Sequence, residues 1–329
     1  MFTDALENIL RDHCSPDAVR RVEAGTSPLP IWTAIADAGF LELFAPEAAG
    51  GAGLSLQDQF RILVLLGRYA VPLPIAQSLV ARALIDDAPP GLLTMAPAVL
   101  KDSTGWQCPQ VPFGVLADHV LADDGKDLLL FDCRHAERRA SGVHRSQVAT
   151  LIFGKDAVPV RVARCDDAHA AYGAALHACL MVGAMSVAFE MTLQYGNDRA
   201  QFGRPIGKFQ AIQHNLAVMA EHVVAARVAA EAAFQGSGNA PGLLPAAIAK
   251  AVASETVTKV AAIAHAVHGA IGVTQEFNLQ LHTRRLHEWR IAHGSESYWH
   301  KVVGKAVIDA GTSIVEFARN ADARRVFEK

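Results

Sequence analysis

The sequence predicts a mainly α protein: a helical N-terminal domain, a small β domain in the middle and a C-terminal helical bundle. Three observations predict it. Apolar residues recur at i, i+3, i+4 spacing in both outer parts of the chain. Between about residues 86 and 165 that period gives way to short apolar runs separated by Asp-Asp-Gly or Gly-Lys-Asp. Hydrophobic residues make up 51% of the chain and charged ones only 19%, which implies large buried faces, some of them against other subunits. At 329 residues there is length for two or three packing units.

Residues 1–85 form the first unit. Leu6, Ile9 and Leu10 start the helical pattern, and Ile31, Ile35, Ala38 and then Phe60, Leu63, Val64 repeat it. Pro46, Gly50, Gly51 and Gly53 interrupt it, and Ser55 is placed to cap the next helix with Asp58 in its first turn. "AVPLPIAQSL" puts two prolines at a further helix start. Residues 86–165 form the β unit, with "FGVLADHVLAD", "DLLLFDC" and "VATLIFG" as strand candidates. Residues 166–329 return to helix. Asp166 and Asp167 stand at its start, where acids favour a helix. Leu216, Met219, Val223 and Ala226 make one stripe; Ile248, Val252, Val260, Ile263 and Val267 make another. "QGSGNAPG", Gln235 to Gly242, links those two helices. Long Ala-rich helices with short polar links describe a bundle.

Composition also excludes several classes. A net charge of −3 gives no basic face for nucleic acid, and the short basic, aromatic run "HTRRLHEWR" reads as a solvated or subunit-facing helix. The five cysteines are scattered without a C-x-x-C pair, as in a cytoplasmic protein with reduced thiols. "MFTDALENILRDHC" lacks the apolar core of a signal peptide. Ala168 to Phe189 carries no Asp, Glu, Lys or Arg. It is built from Ala and Gly with two histidines, which favours a buried helix over a membrane span. Among the 14 histidines neither Glu-x-x-His pairs nor His-Glu-x-x-His occur, so no metal is expected; His282, His287, His293 and His300 read as surface or interface residues.

Four segments carry a resemblance: "LPIWTAIADAGFLELFAPEAAGGAGLS", "VPFGVLADHVL", "YGNDRAQFGRPIGKFQAIQHNLAVM" and "HGAIGVTQEFNLQLHTRRL". In this order and spacing the chain resembles the acyl-CoA dehydrogenase family, flavoenzymes built from helices, a β domain and a four-helix bundle. The resemblance implies FAD as cofactor, an acyl-CoA thioester as substrate and an electron-transfer flavoprotein or similar acceptor. It also implies a homo- or hetero-oligomer arranged as a dimer of dimers. Arg199, Phe202 and Gln210 match the family's Arg-x-x-Phe-Gly…Phe-Gln joint, which reaches the pyrophosphate and adenine end of an FAD held mostly by a neighbouring subunit. An arginine fork suits phosphate oxygens, and an aromatic face suits a heteroaromatic ring. His268, Gly269 and Gly272 match a glycine loop that would offer backbone N–H groups to the cofactor. Ala266 and Ala270 replace the usual Gln and Gly of that loop. Ser295 matches a further cofactor contact.

The family's reaction needs a carboxylate base at the substrate. Here "RIAHGSESYWHK" has His293 at the usual Glu position, and the alternative position in the first bundle helix falls at Gly173. His293 itself, Glu296, or more remotely Asp166 or Asp167 are the candidate bases; alternatively the chain has none and works beside a catalytic partner. The family's Thr-Glu-Pro…Gly-Ser-Asp loop is also missing, with Ser103 and Thr104 the only comparable hydroxyls of "MAPAVLKDSTGWQCP". These losses resemble the reduced subunit of a two-chain acyl-CoA dehydrogenase, a type that handles bulky acyl groups such as steroid side chains. A flavin-free scaffold and a flavin monooxygenase on the same fold are the competing readings.

Overall fold

The computed structural model describes residues 2–236 and 238–320. Ser237 of the expected link and residues 321–329 of the expected bundle domain lie outside the described residues. The order helices, strands, helices holds. Five helices come first: α1 Phe2–His13, α2 Pro16–Glu23, α3 Leu29–Asp37, α4 Leu56–Arg68 and α5 Ile75–Leu84. Ser55 caps α4 by accepting from the Asp58 N–H, and Pro74 immediately precedes α5.

Eight strands follow: β1 Leu93–Met95, β2 Leu100–Asp102, β3 Gly105–Val111, β4 His119–Asp123, β5 Asp127–Asp132, β6 Glu137–Ala140, β7 Ala149–Gly154 and β8 Val160–Ala163. They pair as two four-stranded sheets, β1-β4-β5-β8 and β2-β3-β7-β6, antiparallel except for β1 beside β4. Alternation explains why "DLLLFD" is apolar almost throughout. Leu129 and Phe131 face the second sheet, where Phe131 stacks on Phe153 at 4.6 Å, while Leu128 and Leu130 face the helices. The expected strand "FGVLADHVLAD" is shorter than its apolar run, since residues 112–116 form turns and the strand starts at His119.

The last part contains α6 Ala168–Asp198, a hairpin of β9 Ala200–Gln201 and β10 Arg204–Pro205, then α7 Gln210–Ala233, α8 Leu243–His268, α9 Leu279–Ile291, α10 Glu296–Ala310 and α11 Ile314–Asn320. α6 is the hub, packed by α4, α7, α8 and α9. By length and mean hydropathy α6 and the stretch Leu243–Val273 are apolar enough to cross a membrane, but 72% of the apolar window of α6 is covered by protein. Glycine permits the closest approach: a Cβ on Gly183 would lie 2.1 Å from Val64 O, and one on Gly67 would lie 2.3 Å from Leu180 O.

Three expectations are corrected. In α8 the buried face is alanine-rich (Ala246, Ala253, Ala261, Ala264, with Val257 and Val260), while Ile248, Val252 and Ile263 are half-buried, because small side chains let α6 and α7 approach closely. The run "HTRRLHEWR" is not a solvated helix: Leu281, His282, Thr283, Arg285, Leu286 and Trp289 of α9 are buried. Arg285 is tolerated there because Glu23, itself buried, lies 3.1 Å away and Glu288 lies 3.3 Å away. His282 and His293 are core residues, not surface ones.

Candidate functional site

α9 ends against α10 in a sharp elbow, residues 292–295. His293 (φ 52°) and Gly294 (φ 96°) both adopt left-handed backbone, a conformation that persists only when its surroundings hold it. They do so here. The Trp299 indole N–H donates to His293 O at 2.9 Å, and the His293 ring reaches Met95 O of β1 at 3.3 Å through Nε2. A carbonyl only accepts, so Nε2 carries the proton and Nδ1 is left as the lone-pair nitrogen.

The ring packs on one face of α6, where His169, Gly173 and His177 follow at four-residue spacing. His177 stacks on His293 with centroids 5.0 Å apart, and His169 lies 6.0 Å away. A Cβ at Gly173 would fall 2.3 Å from His293 Nδ1, so the absent side chain of one is the space occupied by the other. His169 and His177 also give a ring N–H to a carbonyl, Leu121 O at 3.4 Å and Gly173 O at 2.7 Å. Burial pushes all three imidazoles toward the neutral form: His177 to about 3, with the charge of Lys250 assisting, and His293 well below its usual range, assisted by His177 and His169. Among the described residues no group of three or more His, Cys, Asp or Glu side chains is placed to hold a metal.

Glu296, at the start of α10, is held by two hydrogen bonds from Arg290, one of 3.0 Å from Nε, and that partner lowers its pKa. Ser295 is the α10 N-cap by backbone only; its side chain makes no cap bond. A cavity of about 360 Å³ adjoins the elbow, walled by Pro97, Gln110, Val143, Ile291 and His293 among others. Asp166 and Asp167 are exposed ahead of α6, and Asp167 pairs with Arg164 at 3.1 Å. Ser103 and Thr104 lie in the β2–β3 turn, where Asp102 accepts from Thr104.

Arg199 and Phe202 lie elsewhere, in the α6–α7 connection. The joint is a β-hairpin whose tip is Phe202 (φ 52°) and Gly203 (φ 78°). Phe202 is 91% exposed, and its ring lies edge-on to Phe209 at 6.1 Å. Arg199 is exposed, and its side chain has no hydrogen bond or ion pair among the described residues. Gln210 is exposed as the first residue of α7. The glycine loop stands beside this joint, since His268 stacks on Tyr195, one turn before Arg199, at 4.5 Å.

Residues 1–88 match the family model described as acyl-CoA dehydrogenase, N-terminal domain, and residues 168–308 match that described as acyl-CoA dehydrogenase, C-terminal domain. The chain is 32% identical to acyl-CoA dehydrogenase IpdE2 of Mycolicibacterium smegmatis over 293 residues, covering 87% of this chain and 91% of that one. The chain belongs to the acyl-CoA dehydrogenase family. IpdE2 of Mycobacterium tuberculosis is 30% identical over 87% of this chain and 90% of its own length. Two solved structures share the fold. One is described as the ChsE4-ChsE5 complex from Mycobacterium tuberculosis (TM-score 0.82, 23% identity, 93% of this chain and 96% of that one). The other is described as a Tcur3481-Tcur3483 steroid ACAD variant (TM-score 0.79, 27% identity, 94% and 98%).

This acyl-CoA dehydrogenase-like oxidoreductase thus comes from a family of flavoproteins. Its residues fit the cofactor unevenly. Arg199, Phe202 and Gln210 are exposed and uncommitted, as groups awaiting a ligand would be. His268 is committed: Nδ1 bonds Ala264 O at 2.8 Å, and its ring is buried between Tyr195 and Phe277. The Gly269 N–H is spent on His265 O. Gly272 is buried, and a Cβ there would meet His268 Cβ at 3.0 Å. Sequence reasoning missed His169 and His177 as neighbours of His293. The signal was the i, i+4, i+8 row His169, Gly173, His177 in an otherwise alanine-rich helix. It also missed Lys250, which sits in an alanine run and offers no pattern.

Proposed function

We propose that this chain is one subunit of an FAD-dependent acyl-CoA dehydrogenase whose flavin sites are shared between chains. It supplies the Arg199–Gln210 joint to a flavin held mostly by a neighbouring subunit. The hairpin carries this reading. Arg20, Arg68, Arg82, Arg284 and Arg285 all pair with acids of this chain, whereas Arg199 stands exposed without one beside an almost fully exposed Phe202. Arg199 would hold pyrophosphate oxygens with its planar fork, Phe202 would offer an aromatic face to the adenine, and Gln210 would add an amide. Bound FAD supplies the acceptor for the hydride that leaves the β-carbon of the thioester.

The α-proton goes to a carboxylate that this chain does not provide. Accepting it would charge His293 inside a dry cluster that favours the neutral ring, and Glu296 is tied to Arg290. The base therefore belongs to the partner chain. The acyl group is bulky, of steroid side-chain type; the 27% identical two-chain steroid ACAD structure supports this. An electron-transfer flavoprotein or similar protein reoxidises the flavin, and the assembly is a cytoplasmic dimer of dimers.

The test is Arg199→Ala in the assembled complex. The variant keeps its partner but loses bound flavin; full retention of flavin would leave the chain a scaffold. One observation favours a second reading, a self-sufficient dehydrogenase: the cavity beside His293 falls in the size range of small-molecule sites. That reading requires turnover without a partner chain. A monooxygenase would instead consume oxygen with reduced flavin and no acyl-CoA.

A further inference from the structure

Lys250 of α8 is completely buried, and among the described residues its hydrogen-bond partners are three carbonyls and a hydroxyl. Its three N–H groups are shared among four acceptors, Trp289 O at 3.0 Å, Arg290 O at 2.8 Å, Gly294 O at 3.0 Å and Ser254 Oγ at 3.0 Å. Ser254 Oγ in turn donates to Arg290 O at 3.3 Å. Two of those carbonyls end α9, where a helix has acceptors without partners and where its dipole favours a cation. The third belongs to the elbow, next to His293. An ammonium placed this deep is costly unless its donors are all used.

We infer that Lys250 is a positioning residue: it fastens the end of α9 to the elbow and so fixes His293 over Gly173. The opposite side of the elbow is held by Trp299, so the two left-handed residues are clamped between an ammonium and an indole. A neutral side chain of the same length would fill the space but leave Trp289 O and Gly294 O without this donor, and Arg290 O with only Ser254 Oγ. Burial lowers the Lys250 pKa to about 7, against the opposing pull of Glu296, and its charge helps to keep His177 and His293 neutral. The elbow's part in a shared active site rests on the function proposed above, but its fastening does not.

The experiment is therefore done on the chain without flavin or partner. In Lys250→Met, the Trp299 indole N–H reports the bond to His293 O and the nitrogen signals of the His293 ring report its tautomer. Positioning predicts that Trp299 indole exchange rises on the order of tenfold or more, as expected for losing a charge-assisted hydrogen bond. The His293 ring signals shift with it, while the Trp32 and Trp106 indoles stay as in the parent. Unchanged Trp299 and His293 signals would overturn the inference. So would equal acceleration of every indole, which marks a general core defect. Should Lys250→Met fail to fold, Ser254→Ala keeps the ammonium and removes one anchor. A smaller shift confined to the same two signals supports the inference, and no shift refutes it.

Discussion

Acid should unfold this protein well before its carboxylates titrate. His177 and His282 are buried as neutral rings, and burial holds them at about 3 and about 4 against an ordinary value of 6.5. The unfolded chain protonates both as pH falls through 6.5, while the folded chain protonates neither until much lower. Between those values the unfolded state binds more protons, so stability is complete above 6.5 and is lost on going down. One proton per histidine at 1.36 kcal/mol per pH unit gives about 2 kcal/mol each at pH 5, or about 4 kcal/mol together. That is a large part of a typical folding free energy of roughly 5–15 kcal/mol. His169 and His293 are shifted in the same direction and steepen the loss. Urea unfolding at pH 7.5, 6.5, 5.5 and 5.0 measures the slope, and His177→Gln should remove about one histidine's share of it. A stability unchanged from pH 7 to 5, or a slope indifferent to that variant, would refute the reasoning.

Three further outcomes follow from particular contacts. Gly173→Ala places a methyl 2.3 Å from His293 Nδ1 and should cost about 1–3 kcal/mol while moving the elbow, read by urea unfolding and the Trp299 indole signal. Glu23→Ala leaves the buried Arg285 with only Glu288 and should destabilise by about 3 kcal/mol, read as a lower unfolding midpoint in urea. Gly183→Val drives a side chain into Val64 O of α4 and should prevent the two helices from docking, seen as loss of soluble folded protein or a strongly reduced Tm.

The architecture was legible because it rests on patterns that sequence displays: helical spacing, a change of period near residue 86, and Asp-Gly turns. Ser55 as a cap and the Leu216–Ala226 stripe were readable for the same reason. The burial of α9 was not, because Arg285 is made tolerable by Glu23, 262 residues away in sequence, and no local signal records that partner. β3 was hidden by Pro109 within its run, and β1 by its length of three residues. The site was half legible. The sequence named His293 and Gly173 separately, as two positions without a carboxylate. Their contact, and the two histidines beside them, appear only when α6 is laid against the elbow. At the glycine loop the sequence showed the glycines but not the packing, in which a Cβ on Gly272 would lie 3.0 Å from His268 Cβ and 3.3 Å from Leu279.

The central claim is that the flavin site is completed by another chain, and counting FAD tests it most directly. The absorption spectrum of the purified chain alone, and of the chain co-expressed with a candidate partner, gives flavin per polypeptide. The account predicts a colourless chain that gains about half a flavin per polypeptide in the mixed assembly, the ratio set by one shared site for each pair of chains. A yellow chain carrying one flavin by itself, bleached by an acyl-CoA, would contradict it and return the proton to His293 or Glu296.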